Sequence, residues 1–225
     1  MIPPPLDRGG GMKTVSLWSG GKDSCFAYYK AKQDHEVAYL LNFTDTNSKH
    51  SLSHGLKPEL IQEQARMLGV PLIQKAMPKQ NYRQEFKDLI LGLKEKEDIR
   101  GIVFGDIYLQ EHKDWIDKVC QELEARAIFP IWTVDTKKLI AEIIDSGFKA
   151  IIVTARADCA GGKEWLGKEV DKEFIAGLAE DIDPCGEKGE FHTFVYDGPI
   201  FNRPVRFKSG RKVLQDKRWF LEITL

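Results

Sequence analysis

Short apolar runs alternate along the chain with segments whose apolar residues recur at helical spacing. Thr14-Val15-Ser16-Leu17-Trp18 predicts a strand over 13–18, and Phe26, Ala27 and Lys30 predict a helix over 23–33. Residues 36–43 are almost continuously apolar, the pattern of a strand covered on both faces. Pro58 suits the first turn of a helix over 59–68, which Gly69 ends. A short strand follows over 70–74, then a long helix over 81–97 with Phe86, Leu89, Ile90 and Leu93 on one stripe. Residues 101–106 predict another strand, 111–127 an amphipathic helix and 129–132 a short strand.

This alternation predicts an α/β fold, a doubly wound parallel sheet over 12–132, whose ligands bind beyond the carboxyl ends of the strands. Past residue 133 the pattern changes. A helix over 136–146 ends at Gly147, a buried strand spans 149–154, and a helix lies near 171–179. Strands follow over 191–196, 205–208, 212–214 and 219–224, with a tight turn at Ser209-Gly210. Residues 133–225 are expected to form a second, smaller α+β domain. Residues 1–11, rich in proline and glycine, read as a disordered extension ahead of Met12.

Composition narrows the class. The 225 residues are 42% hydrophobic and 30% charged, which fits a soluble globular chain with a substantial core. Lys and Arg total 33 against 34 for Asp and Glu, a net charge of −1 that offers no basic excess to a nucleic-acid backbone. Nucleic acid is therefore not the expected partner. No apolar run approaches the roughly 20 residues of a membrane span, and the start lacks the apolar core of a signal peptide. The expected location is cytoplasmic. Cys25, Cys120, Cys159 and Cys185 are far apart and form no C-x-x-C pair, which argues against a disulfide framework.

The candidate chemistry begins at Ser19-Gly20-Gly21-Lys22-Asp23-Ser24, between the first strand and the first helix. Adjacent glycines allow a sharp bend and close approach of a ligand. The helix start presents free N–H groups and a dipole that favours anions. Ser19 and Ser24 add hydroxyl donors and Lys22 a cation, a set suited to pyrophosphate. The spacing is not that of the Walker-type P-loop. SGGKDS resembles the PP-loop of the ATP pyrophosphatase superfamily, which implies ATP cleaved between its α and β phosphates. Asp23 then either holds Mg²⁺ or caps the helix. Trp18 and Phe43 are expected beside the adenine, with Gly105 and Asp106 closing the crevice.

A second informative stretch is Gly186-Glu187-Lys188-Gly189-Glu190-Phe191-His192-Thr193. Its two carboxylates are separated by a glycine, so they sit on a turn at a strand entry. GEKGEFHTFVYDGPIF, taken with SGGKDS, resembles the diphthine–ammonia ligase family of PP-loop ATPases. GVPLI at 69–73 and WLGK at 165–168 extend the likeness over nearly the whole chain from Met12. The resemblance implies adenylation of a carboxylate, release of AMP and pyrophosphate, and amidation by ammonia. The acceptor it implies is diphthine, the modified histidine of translation elongation factor two. Glu187 and Glu190 become candidates for orienting ammonia or taking its proton. Two features depart from the better-known members: His192 stands where many carry a second acid, and residues 105–112 look like a branch variant. Both lie near the expected acceptor site.

His50 and His54, four apart in a polar stretch over 44–57, have the spacing of a metal pair but no third ligand and read as loop surface, with the alternative that His54 faces the nucleotide crevice; Trp115 and Trp219 read as packing. Two other readings are a PP-loop RNA-modifying enzyme and a nucleotide-binding sensor without turnover. The first commonly uses paired cysteines and a basic face, neither of which is visible here. A homodimer is compatible with the sequence.

Overall fold

The computed structural model of the chain describes residues 11–46, 50–51 and 54–225. The extension expected over 1–11 lies outside the described residues, apart from Gly11. Nine elements alternate through the first half: β1 (Lys13–Leu17), α1 (Lys22–Ala31), β2 (Glu36–Asp45), α2 (Pro58–Leu68), β3 (Leu72–Met77), α3 (Tyr82–Glu97), β4 (Gly101–Val103), α4 (Gln110–Glu122) and β5 (Arg126–Ile128). Their strands pair in parallel in the order β3-β2-β1-β4-β5. Strand order reverses between β1 and β4, so a crevice opens at the carboxyl ends of those two strands.

The second half contributes α5 (Thr136–Asp145), β6 (Lys149–Arg156), two short helices α6 (Gly162–Trp165) and α7 (Lys172–Ala176), and the strands β7 (Phe191–Asp197), β8 (Lys208–Gln215) and β9 (Arg218–Thr224). These strands form a separate antiparallel sheet in the order β7-β6-β9-β8. The expected α/β architecture with a smaller second sheet is thus the observed one.

Two apolar clusters hold the layers. One packs Phe86 and Ile90 of α3 and Val119 of α4 against Val15, Leu41 and Ile102 of the parallel sheet. The other covers the opposite face with α1 and α2 and continues into the antiparallel sheet, joining Phe26, Leu60 and Ile61 to Ile152, Phe194 and Val195. Phe26 meets Phe148 edge-on at 5.8 Å. Helix α1 is therefore buried on nearly all sides, because it is sandwiched between two sheets.

Some expected boundaries shift, each for a local reason. Helix α4 stops at Glu122 rather than near 127, and the strand falls at Arg126–Ile128 rather than 129–132. Glu124 takes a left-handed φ of 48° and does the work a glycine usually signals. The Phe129–Trp132 stretch is a turn, closed by the Trp132 N–H donating to the Phe129 carbonyl. Strand β3 begins at Leu72, later than expected, and runs on to Met77 in register with β2. The helix near 171–179 is only the short α7, capped by the Asp171 side chain. The β8–β9 turn sits at Asp216 and Lys217, with φ of 48° and 63°, not at Ser209-Gly210. Ser209 instead borders a register irregularity in β8, so the glycine marks a bulge. Residues 205–207 lie outside any strand; Val205 is held by its N–H donating to the Tyr196 carbonyl.

Glu124 is exposed. Glu124→Gly relieves the cost of a side chain at positive φ and is expected to stabilise the fold by about 1 kcal/mol. Urea denaturation of the two proteins checks it.

Candidate active site

The loop after β1 is shaped by its own side chains. Gly20 has a φ of 84°, and Gly21 leads into α1 in extended conformation. The Ser19 N–H donates to Ser24 Oγ at 3.2 Å, the two hydroxyls lie 2.9 Å apart, and the Gly21 N–H reaches Ser19 Oγ at 3.3 Å. Gly105, just past β4, backs onto this turn: a Cβ there would sit 3.0 Å from the Ser24 nitrogen. The second sheet holds the loop from behind. The Lys22 N–H donates to Thr193 Oγ1 at 3.0 Å, and the Val195 N–H donates to the Gly20 carbonyl at 3.0 Å.

Gln64 of α2 ties these parts together. It is fully buried. Its Nε2 donates to the carbonyls of Gly20 (3.0 Å) and Val195 (2.7 Å), and its Oε1 accepts the Trp18 indole N–H at 2.9 Å. The sequence reading missed it. The available signal was a polar residue on the apolar stripe of α2, three and four positions from Ile61 and Leu60.

A crevice of about 750 Å³ opens above the loop. Ser19, Asp23 and Ser24 line it, as do Trp18, Phe43, Gly105, Asp106 and Glu187. Most of the sequence candidates thus come together. Phe43 is joined by further aromatic rings: Tyr82, which the sequence reading passed over, and Phe86, which had read as core, stand edge-on to it at 5.8 and 5.9 Å, with Trp115 beyond. Burial raises the Asp106 carboxyl against the pull of the His112 ring, 3.3 Å away.

Gly20 and Gly21 are buried and outside that lining, and Lys22 and Glu190 lie elsewhere. The Lys22 ammonium is buried, bonded to Asp23 Oδ2 at 2.9 Å and to the Cys185 carbonyl, with its charge over the Phe191 ring. Burial works to strip that charge, but the Asp23 carboxylate and the neighbouring Cys185 and Glu187 hold it above its ordinary value. Glu190 is 2% exposed and does not line the crevice. Its Oε1 accepts the Asp183 N–H, and Oε2 is buried without a partner. Asp183 shapes the turn in its turn, accepting from the Cys185 N–H at 2.8 Å and from Thr136 Oγ1 at 2.9 Å. Glu187 is the carboxylate this turn delivers to the crevice. Burial first, then the charge of Asp23, push it up to about 8 against the attraction of Lys22.

His54 is not loop surface. It is buried, its Nδ1 lies 2.8 Å from the Thr193 carbonyl, and its ring stacks on His192 at 4.8 Å. Burial lowers it to about 4, so the ring is neutral. A Cβ on Gly21 would lie 2.1 Å from His54 Cε1, so glycine is required there by the histidine's position.

A parallel sheet with a glycine turn and helix N-terminus at its switch point defines an α/β nucleotide-binding protein of the PP-loop kind. A family model described as the diphthamide synthase N-terminal domain matches residues 12–127, and one described as the diphthamide synthase C-terminal domain matches residues 135–225. The chain belongs to the diphthamide synthase family. A Mus musculus protein named diphthine–ammonia ligase is 26% identical over 94% of this chain and 89% of its own length. Its Homo sapiens namesake is 24% identical over 94% and 89%. The Schizosaccharomyces pombe namesake is 28% identical over 86% of this chain and 36% of its own. Among solved structures, a Methanocaldococcus jannaschii chain described as a predicted subunit of tRNA methyltransferase has a TM-score of 0.43 and 17% identity, over 84% of this chain and 98% of that one.

Gln64→Leu keeps the volume and removes the three hydrogen bonds, leaving the Trp18 indole N–H without its partner. It is expected to cost about 2–4 kcal/mol and to raise the KM for ATP, because the loop loses its brace. Chemical denaturation and ATP-dependent pyrophosphate release measure the two effects.

Proposed function

We propose that this chain is an ATP-dependent carboxylate–ammonia ligase that adenylates a diphthine-like carboxylate and amidates it, releasing AMP and pyrophosphate. The observation that carries the reading is the meeting, in one crevice, of Ser19, Asp23 and Ser24 with Glu187. The first three belong to the turn suited to phosphates; the last is a base placed for ammonia. The shared name of the relatives points the same way and favours a ligase over an RNA-modifying enzyme or a sensor. Residues 12–132 supply the nucleotide side and 133–225 the acceptor side.

Activation of the carboxylate requires attack on the α-phosphorus, with the β and γ phosphates held as the leaving group. The hydroxyls of Ser19 and Ser24 and the N-terminus of α1 stabilise that charge, with the amides of Gly20 and Gly21 nearby. Adenine stacks on the aromatic wall that includes Phe43, beside Trp18. Gly105 and Asp106 close the opposite side. Lys22 acts at one remove, holding Asp23 in place rather than reaching for phosphate.

Mg²⁺ fits the donor set. Lys22 engages Asp23 Oδ2, while Asp23 Oδ1 is buried without a partner. Among the described residues no cluster of three potential ligands forms. That suits an ion which binds through one or two carboxylates, phosphate oxygens and water. When bound, it neutralises charge on the triphosphate. Glu187, up at about 8, takes the proton that ammonium must lose before it can attack. Glu190 shapes the turn that presents Glu187. The acceptor partner is elongation factor two bearing diphthine, and the second substrate is ammonium. Among the described residues no helix is long and apolar enough to cross a membrane.

Asp23→Ala and Ser24→Ala are expected to lose α–β cleavage by about a hundredfold or more while keeping the native circular dichroism spectrum. AMP and pyrophosphate release with acceptor present tests this; wild-type release in both variants sinks the site. The pH profile tests Glu187 separately. The base is the ionised form, so wild-type amidation should climb as pH rises through about 8. Glu187→Gln should lose that step. It should also be rescued by hydroxylamine, a nucleophile already neutral at pH 7. An unchanged profile in Glu187→Gln removes the residue from the mechanism.

A further inference from the structure

A second cavity, of about 720 Å³, lies beside the crevice, between the start of α2 and the β8–β9 hairpin. Leu56, Leu60, Val153 and Leu221 give it apolar walls, and the Phe220 ring lines it too. Nothing in the nucleotide reading uses it, since the crevice has its own volume and its own aromatic wall. The two spaces share Ser51, His54 and His192, which line both.

That shared border has a defined chemistry. The imidazoles stack with planes 28° apart. A carbonyl only accepts, so the His54 nitrogen facing the Thr193 carbonyl bears the proton, and Nε2 keeps an acceptor lone pair. Burial, then the proximity of His54, holds His192 well below its ordinary value, so this ring too is neutral. The border is thus an uncharged aromatic platform. It sits against the PP-loop, with His54 in the space a Gly21 side chain would take. The two ring faces offer a bare carboxylate no cation: the Ser51 hydroxyl beside them is neutral, and Lys57 and Arg218 stand elsewhere on the cavity wall. A heterocycle finds a face to stack on, a lone pair for its ring N–H, and apolar walls for its edges.

We propose that this second cavity receives the heterocyclic side chain of the acceptor, which extends the His54–His192 stack and passes its carboxylate into the crevice; the assignment rests on the ligase reading above. A modified histidine has this combination of ring and carboxylate. The carboxylate oxygen bonds to the α-phosphorus as the α–β phosphoanhydride breaks, and pyrophosphate leaves with the electron pair. Glu187 takes one proton from ammonium, the ammonia so formed bonds to the acyl carbon, and AMP departs with the bonding pair, its phosphate accepting the second proton.

The test uses purified diphthine-bearing elongation factor two, with ATP, Mg²⁺ and ammonium, and measures the KM for acceptor and for ATP separately. Phe220→Ala is expected to raise the acceptor KM about three- to tenfold, the range of one aromatic contact, and to leave the ATP KM unchanged. His192→Ala should raise the acceptor KM likewise, while His192→Phe, which restores a ring face, should recover most of it. Phe220→Leu, which preserves the packing volume, should show the same direction and guards against misfolding. An acceptor KM unchanged in all of these, with amidation intact, overturns the cavity assignment and leaves the ligase reading standing. An ATP KM raised as much as the acceptor KM also overturns it, by giving the cavity to the nucleotide. Wild-type protein that releases AMP and pyrophosphate but leaves diphthine unmodified overturns the acceptor reading, and the cavity assignment falls with it.

Discussion

The buried amide of Gln64 is the constraint from which the rest of the site follows. It is a polar group inside an apolar cluster, and it is tolerated because each of its atoms is bonded. Those bonds run to β1's exit, to the glycine turn and to β7. One side chain therefore fixes the glycine turn relative to both sheets. The Thr193 hydroxyl and carbonyl repeat the same connection one step along, through the Lys22 N–H and His54.

This rigidity explains the electrostatics. Lys22 is locked onto Asp23 and the Cys185 carbonyl, so its charge is spent on holding the floor of the crevice. Glu187 sits above that floor, close enough to Asp23 for the two carboxylates to repel. A protonated carboxyl near neutral pH is the result. In the proposed reaction its strength as a base comes from surroundings that disfavour its charge. Neither the lysine nor the second glutamate of the motif needs to touch a reactant for this to work.

The layers of the fold were legible in the sequence because apolar periodicity survives single-residue uncertainty. Strands β1, β2 and β6 and helices α1, α2, α3 and α5 fall within a few residues of their expected places. Boundaries failed where a residue other than glycine took a left-handed conformation, as at Glu124, Asp216 and Lys217. The turn after β1 was legible for the opposite reason, since its glycines and hydroxyls are local. What stayed hidden was set by long-range packing. Nothing adjacent in sequence says that Gln64 meets Trp18, or that His54 stacks on a ring 138 positions away (192 − 54). Glu187 and Glu190 look equivalent on paper, and only the path of the turn sends one outward and the other into the interior.

Helix α1 gives one sheet its cover and the other its floor. Two bodies that hold a common helix have no axis about which to swing. Opening them would bare Phe26, Ile61 and Phe194 together, at about 1.5–3 kcal/mol for each side chain. Motion that accompanies turnover is therefore expected in surface segments around a fixed frame rather than in a hinge between the sheets.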